Sequence, residues 1–567
     1  MIRKFFPLSV FLCLLLTCCG QRDMPEKSRM GALGKQVMVV SDHFEATKVG
    51  VRILEKGGNA MDAAVGVQFA LAVVLPYAGN IGGGGFAVIR TGNGGYFSLD
   101  FREKAPVAAS RELYLDSAGN VIPELSIFSH LACGVPGSVA GMEEMHRKFG
   151  KLPWKDILED AIILARSGFP ITEIQAAELN SEREKFLKYN RKTAYVPFLK
   201  GGEWKEGDTL RQEDLALALE RIRDQGREGF YSGPTAEFLI QEMKKGGGKI
   251  SQEDLDRYEA IWRDPVLGEY KNYKIITMGP PSSGGIALMQ LMGMVDKFPM
   301  DKMGRNSAAY IHLLAEAERR VYADRALHLG DMDFYDVPVA ELLDTGYLRQ
   351  RMLDFNPDKA TISDSVFAGE FDSDSSETTH FSVVDGEGNA VSITTTINTG
   401  YGSRIVVEGC GFLLNNEMDD FSLKPGEPNS YGLIGADANS IEPGKRMLSS
   451  MTPTIIEKNG ELFMVAGTPG GSTIITSVFQ AILNVIEHEA TMHEAVNFKR
   501  FHHQWKPDQI TCEEGTFTPQ VLAKLQKKGH EVKVRNPIGS MNCILFWPGG
   551  WIEGGDDGRR DNWPMGF

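Results

Sequence analysis

Two stretches in the last third of the chain alternate apolar and polar residues with the two-residue period of a β-strand. From Thr378 to Val384, Phe381 and Val383 share one face, and Thr378, His380 and Ser382 share the other. From Ala390 to Asn398, Val391, Ile393, Thr395 and Ile397 stand against Ser392, Thr394, Thr396 and Asn398. The run Asp385-Gly386-Glu387-Gly388-Asn389 between them is rich in turn formers, so the two stretches read as an antiparallel hairpin. If Val384 pairs with Ala390, counting back sets Thr396 opposite Thr378 on the same face, with Asn398 just beyond. In an ordinary hairpin, that threonine-rich face would meet solvent.

Other periods fill in the rest. A strand follows Pro453, then a turn at Lys458-Asn459-Gly460 and a second strand from Glu461 to Ala466. Gly467-Thr468-Pro469-Gly470-Gly471 leads into a helix capped by Ser472, with Ile475, Val478, Phe479, Ile482 and Ile486 as its buried stripe. Near the amino end, Gly34 to Leu75 carries two helical patterns separated by Gly57-Gly58-Asn59. The second buries Ala63, Val67, Ala70 and Val74. Gly82 to Gly85 precedes a strand, Phe86 to Arg90. No lysine and serine or threonine close that glycine run, so it predicts close approach of backbone segments and no phosphate loop. The stretch from about Lys151 to Gly330 reads as mainly helical scaffold, with Thr209 and Gln212 as a capping box before Leu215, Leu219 and Ile222.

The hairpin begins abruptly. The segment from about Asn356 to Glu377 is acidic and serine-rich, a flexible and accessible linker, and it stops at Thr378. A threonine at a new amino terminus can serve as nucleophile and carry its own base, because its α-amine lies within reach of its hydroxyl. The expectation is that the chain cuts itself between Glu377 and Thr378, and that Thr378 then becomes the catalytic residue.

Charge and cysteine content narrow the class. The net charge of −15 argues against a nucleic-acid partner. Arg3 and Lys4 precede an apolar run from Phe5 to Thr17, which is short for a bilayer span and suits a signal peptide. Cys18-Cys19-Gly20-Gln21 follows. A cysteine at this place resembles a bacterial lipoprotein site, with the lipid on Cys19 or else Cys18; plain secretion is the alternative. Either way the mature protein is exported, to the periplasm or to a membrane surface. The expected division is 1–19 as signal peptide, 20–377 as a large subunit and 378–567 as a small one. Cys133, Cys410, Cys512 and Cys543 are too scattered for a disulfide framework or a zinc site, and His502-His503 reads as a structural pair.

The blocks around Thr378 resemble the γ-glutamyltransferase (γ-glutamyl transpeptidase) family, from about Gly34 to the carboxyl end. They are Pro76 to Phe86, Leu99-Asp100-Phe101-Arg102-Glu103, Leu413 to Phe421, Leu448-Ser449-Ser450-Met451-Thr452-Pro453 and Gly467 to Ser472. The resemblance implies an α+β N-terminal-nucleophile hydrolase: a four-layer αββα sandwich made of two subunits cut from one precursor. It implies Arg102, Ser449 and Ser450 as ligands of a γ-glutamyl α-carboxylate, and Asn398, Glu417 and Asp420 as ligands of the α-ammonium. Some members carry glutamine at the position of Glu417. Without the resemblance, Arg102 would more simply be a salt-bridge partner of Asp100 or Glu103. The resemblance also implies an oxyanion hole at Gly470 and Gly471, Thr396 as partner of the Thr378 hydroxyl, and a lid from Asp420 to Lys445 with Tyr431 over the substrate. The implied donors are glutathione and other γ-glutamyl compounds, with water, an amino acid or a peptide as acceptor, and neither metal nor organic cofactor. Other readings are an acylase of the same fold acting on glutaryl β-lactams or poly-γ-glutamate, or an exported lipoprotein that binds γ-glutamyl peptides without turnover.

Overall fold

The computed structural model describes residues 24–366, 378–427, 429 and 432–567. Two seven-stranded antiparallel sheets stack face to face between layers of helices. The first sheet runs Trp563–Gly566, Met38–Ser41, Thr379–Val384, Ala390–Thr396, Gly84–Arg90, Tyr96–Asp100 and Ile261–Arg263. The second runs Ala32–Gly34, Trp551–Gly554, Ile544–Trp547, Glu461–Ala466, Thr454–Lys458, Tyr273–Thr277 and Val266–Tyr270. This is the αββα sandwich expected of an N-terminal-nucleophile hydrolase.

The hairpin takes the expected register. Val384 pairs with Ala390 and the ladder continues to Thr379 opposite Thr395. Thr396 then pairs with Gly84 on the neighbouring strand. The Thr379–Val384 strand is third of seven, so Thr378 stands at the mouth of a central strand.

The expectation for its polar face needs correction. Phe381, Val383, Val391 and Ile393 pack against the helices Phe44–Glu55 and Ala60–Val74. The opposite face does not meet solvent, because it is turned inward against the second sheet. His380, Ser382, Ser392 and Thr394 are all buried. Their polar atoms are satisfied in place: His380 Nδ1 with Thr394 Oγ1 at 2.9 Å, His380 Nε2 with Ser382 Oγ at 3.2 Å, and Ser382 Oγ to the Asn542 carbonyl at 2.7 Å. Burial lowers the His380 pKa to about 3, so the ring is neutral. An ion pair also crosses between the sheets, from Arg90 Nε to Glu457 Oε1 at 2.7 Å.

Three local readings change. The region 151–330 contains the strands Ile261–Arg263, Val266–Tyr270 and Tyr273–Thr277 as well as helices. Their charged and tyrosine-rich residues carry little periodicity. Thr209 lies in a two-residue strand paired with Phe169–Pro170, and Gln212 donates to the Val73 carbonyl at 2.7 Å, so they form no capping box. Ser472 stands at the cap position of the helix Thr473–Glu487, but its hydroxyl bonds Gln504 Oε1 at 2.8 Å and caps nothing. The glycine run does mark close approach: a Cβ on Gly83 would lie 2.0 Å from the Thr396 carbonyl oxygen. The four described cysteines are free and buried.

The inward polar face makes one position sensitive. A Cβ on Gly467 would sit 2.2 Å from the His380 ring, which its hydrogen bonds hold in place. Gly467→Ala is expected to destabilise the fold by about 1–3 kcal/mol through overpacking, read as an earlier urea-unfolding midpoint. An unchanged midpoint would show that the seam between the sheets is loose.

Candidate active site

At the mouth of the central hairpin lies a small, partly open pocket. Its lining joins residues from distant parts of the chain: Thr378, Thr396 and Asn398 from the hairpin, Arg102, Glu417 and Asp420 on one side, Ser449, Ser450 and Gly471 on another, together with Arg325 and Leu433. Nine of the residues singled out from the sequence therefore line one cavity. Gly470 directly precedes Gly471. Cys19, Glu377 and Tyr431 lie outside the described residues.

Thr378 is held from behind. Arg560 NH1 donates to its carbonyl at 3.3 Å, and the next residue, Thr379, donates through Oγ1 to Asp42 Oδ2 at 2.7 Å. Asp42 also accepts from Asn542 Nδ2 at 2.9 Å. Its pKa is raised, chiefly by burial, with Arg560 opposing. Thr396 Oγ1 accepts from the Asn398 amide at 2.7 Å, which leaves its own proton free to donate toward the pocket.

Asn398 has a left-handed backbone, φ 72°, which asparagine tolerates better than most residues. Its amide nitrogen bonds the Asn416 carbonyl at 2.9 Å. Its Oδ1 is buried without a hydrogen-bond partner among the described residues, and so is Glu417 Oε2. Two unsatisfied acceptors in one small pocket call for a donor from a ligand, since an unmet buried acceptor is costly.

Arg102 is fully buried; it keeps the ion pair to Glu103 that the simpler reading allowed, but its shortest bonds go elsewhere. Its guanidinium bonds Glu417 Oε1 through NH1 and Asp420 Oδ2 through NH2, the latter at 2.5 Å, with Glu103 at 3.6 Å. Asp100 instead takes Arg263 and Arg446. Nε of Arg102 donates to the Met447 carbonyl at 3.3 Å, which ties it to the loop carrying Ser449 and Ser450. Burial works against the charge on Arg102, but Glu417, Asp420 and Glu103 outweigh it and hold the guanidinium above its ordinary pKa. Burial raises the carboxyls in turn, Glu103 to about 8, Asp420 to about 6 and Glu417 well above its ordinary value, with Arg102 opposing in each case. Both oxygens of Glu103 lack hydrogen-bond partners. The buried Glu103 and Glu417 and the partly exposed Asp420 share one cation and titrate as a unit, and the unit retains a proton near neutrality.

Gly470 and Gly471 have φ of 134° and 53°, a conformation that side chains resist. Thr473 closes the turn by donating through N and Oγ1 to the Gly470 carbonyl, at 3.0 and 2.7 Å. Neither glycine N–H donates to a described residue. The pair sits at the start of the helix Thr473–Glu487, where free amides and the helix dipole favour negative charge.

Sequence reasoning missed Arg325, Asp42 and Arg560 as neighbours of Thr378, and it named Glu103 only as a salt-bridge partner. None of the missed three lies in a motif; only folding brings them to the site. One cluster of metal-ligating type occurs among the described residues, His312, Glu316 and His530, with ligand atoms within 4.8 Å. Those atoms are committed: His312 Nδ1 to His530 Nε2 at 2.7 Å, His312 Nε2 to the Asn356 carbonyl at 2.8 Å, and Glu316 to Arg320 and Thr361. With Arg319 and Arg320 paired to Glu316, it is a poor cation site. His502 and His503 bond Thr476, Gln504 and Asp508.

Comparison with known proteins identifies the family and the fold. The sequence profile of the gamma-glutamyltranspeptidase family matches residues 46–567. A glutathione hydrolase proenzyme from Escherichia coli (strain K12) is 45% identical over 526 residues, covering 93% of this chain and 90% of the relative. A crystal structure of cephalosporin acylase from Bacillus halodurans superposes with a TM-score of 0.83 at 26% identity, covering 97% of this chain and 98% of the other. A crystal structure of Helicobacter pylori gamma-glutamyltranspeptidase gives 0.57 at 46% identity, covering 58% of this chain and 94% of that one. With a family profile spanning most of its length and a relative this similar across nearly all of it, the chain belongs to the gamma-glutamyltranspeptidase family.

Proposed function

We propose that this enzyme is a self-cleaving γ-glutamyltransferase and glutathione hydrolase. One observation carries the reading: Thr378, at the start of a central strand, shares a small pocket with buried acceptors that suit an ammonium and with hydroxyls and arginines that suit a carboxylate. A γ-glutamyl donor carries both groups on its α-carbon.

In the precursor, the Thr378 hydroxyl attacks the Glu377 carbonyl carbon. The peptide C–N bond breaks, the proton passes to the departing amine, and an ester remains. Water hydrolyses that ester, releasing a large subunit ending at Glu377 and a small one beginning at Thr378. In the cut enzyme the free Thr378 amine takes the hydroxyl proton, directly or through water, and Thr396 orients the hydroxyl. Attack on the γ-amide carbon places the oxyanion toward the amides of Gly470 and Gly471. Collapse breaks the amide bond and releases cysteinylglycine when glutathione is the donor. Water then yields glutamate, or an acceptor amine takes the γ-glutamyl group. Asn398, Glu417 and Asp420 hold the ammonium, and Arg102, Ser449 and Ser450 hold the carboxylate. Export, through the segment ending near Cys19 and with or without a lipid there, completes the reading. An acylase acting on glutaryl groups is disfavoured, because such groups lack the amine that Asn398 Oδ1 and Glu417 Oε2 await.

Thr378→Ala is expected to give one uncut chain on a denaturing gel and to lose γ-glutamyl transfer by more than a thousandfold. A cut or active variant would exclude Thr378 as nucleophile. The pH response of donor binding is a second test. Burial raises the carboxyl pKa values of the free site, and a bound ammonium favours their ionised forms. Binding therefore releases a proton, and KM should fall as pH rises through about 6 to about 8, by up to about tenfold per unit. Glu417→Gln should weaken donor binding and flatten that slope. A KM independent of pH across this window would mean that the carboxylates do not meet the amine.

A further inference from the structure

Arg325 stands on the helix Ala308–His328, and its side chain lines the Thr378 pocket. Every other buried arginine among the described residues forms an ion pair with a carboxylate. Arg325 bonds two serine hydroxyls instead: Nε donates to Ser283 Oγ at 2.9 Å, and NH2 donates to Ser450 Oγ at 3.1 Å. Burying a guanidinium without a directly bonded carboxylate is costly: burial lowers its pKa to about 10, still well above neutrality, and Tyr322 and Asp420 oppose that only through space.

The direction of these bonds matters. Ser283 passes its own proton on to the Ser449 carbonyl at 2.6 Å, and its amide donates to the same oxygen at 2.8 Å. Arg325 thus braces the Ser449-Ser450 loop at two points. Ser450 Oγ accepts from a cation, so its O–H is left to donate to an anion in the pocket. A hydroxyl polarised in this way is a stronger donor than one in water. Arg102, by contrast, already has its charge met by Glu417 and Asp420.

We propose that Arg325 is a positioning residue for the donor α-carboxylate, supplying positive charge that Ser450 relays to it. This rests on the γ-glutamyl reading above. Three chromogenic donors test it: γ-glutamyl p-nitroanilide, 4-aminobutyryl p-nitroanilide, which lacks the α-carboxylate, and glutaryl p-nitroanilide, which lacks the amine. Wild-type enzyme should favour the first over the second. Arg325→Gln should cut kcat/KM for the two carboxylate-bearing donors by roughly ten- to a hundredfold, mainly through KM, and leave 4-aminobutyryl p-nitroanilide near its wild-type rate. Arg325→Lys should recover part of the loss.

The failures are separable. A wild-type enzyme indifferent to the α-carboxylate overturns the γ-glutamyl reading. A wild-type preference that survives in Arg325→Gln overturns the role of Arg325 alone. Equal loss on all three donors marks a structural defect and also overturns it. If Arg325→Gln does not mature into two subunits, Ser450→Ala decides, because full preference in that cut variant removes the relay.

Discussion

A guanidinium taken wholly out of water must find its hydration replaced on every side. Arg102 meets that demand by joining the segments that form the pocket: the Glu417–Asp420 turn through two carboxylates, and the loop before Ser449 through the Met447 carbonyl. Each partner is fixed because the charge cannot be left unmet, so the cluster sets the pocket's shape as well as its charge. Its cost is visible in the carboxyls. Three of them share one cation, and the excess is relieved by retaining a proton.

The second constraint lies behind Thr378. Polar hairpin faces usually look outward; here one looks into the seam between two sheets. His380, Ser382 and Thr394 satisfy one another, and Asn542 and Asp42 extend the network to Thr379. A buried, satisfied network is stiff, because any side-chain rotation breaks bonds that no water replaces. Thr378 is the residue at which that stiff strand opens into the pocket, so its hydroxyl is presented from a rigid base.

How much of this was legible in the sequence depended on the period involved. The hairpin register followed from alternation and a short turn, and the Thr454–Lys458 and Glu461–Ala466 pair followed from Lys458-Asn459-Gly460. Strands without clean alternation, such as Tyr273–Thr277, were hidden in a region read as helical. Solvent exposure was misread for the polar face, since alternation gives two faces but not what covers each. Nine residues named from the hairpin and the motifs line one pocket, because each motif is contiguous and carries its residues there together. Arg325, Asp42 and Arg560 did not, because each reaches the pocket or the strand behind it from a segment with no local signal.

Those missed residues alter the chemistry inferred from the motifs alone. Read from blocks, the pocket has one cation for a carboxylate and several anions for an ammonium. In three dimensions that cation is already neutralised by two of the anions, and a pocket so balanced would have little charge left to attract a carboxylate. Arg325 restores the asymmetry. It places a positive charge behind the serine loop, within electrostatic reach of Asp420 but bonded to hydroxyls and to no carboxylate. An amino acid head group has its two charges on one carbon, so recognising it needs opposite fields within a few ångströms. Under the proposed roles, Arg102 paired to carboxylates and Arg325 bonded only to hydroxyls would supply that field and turn the γ-carbonyl toward Thr378 before any bond is made.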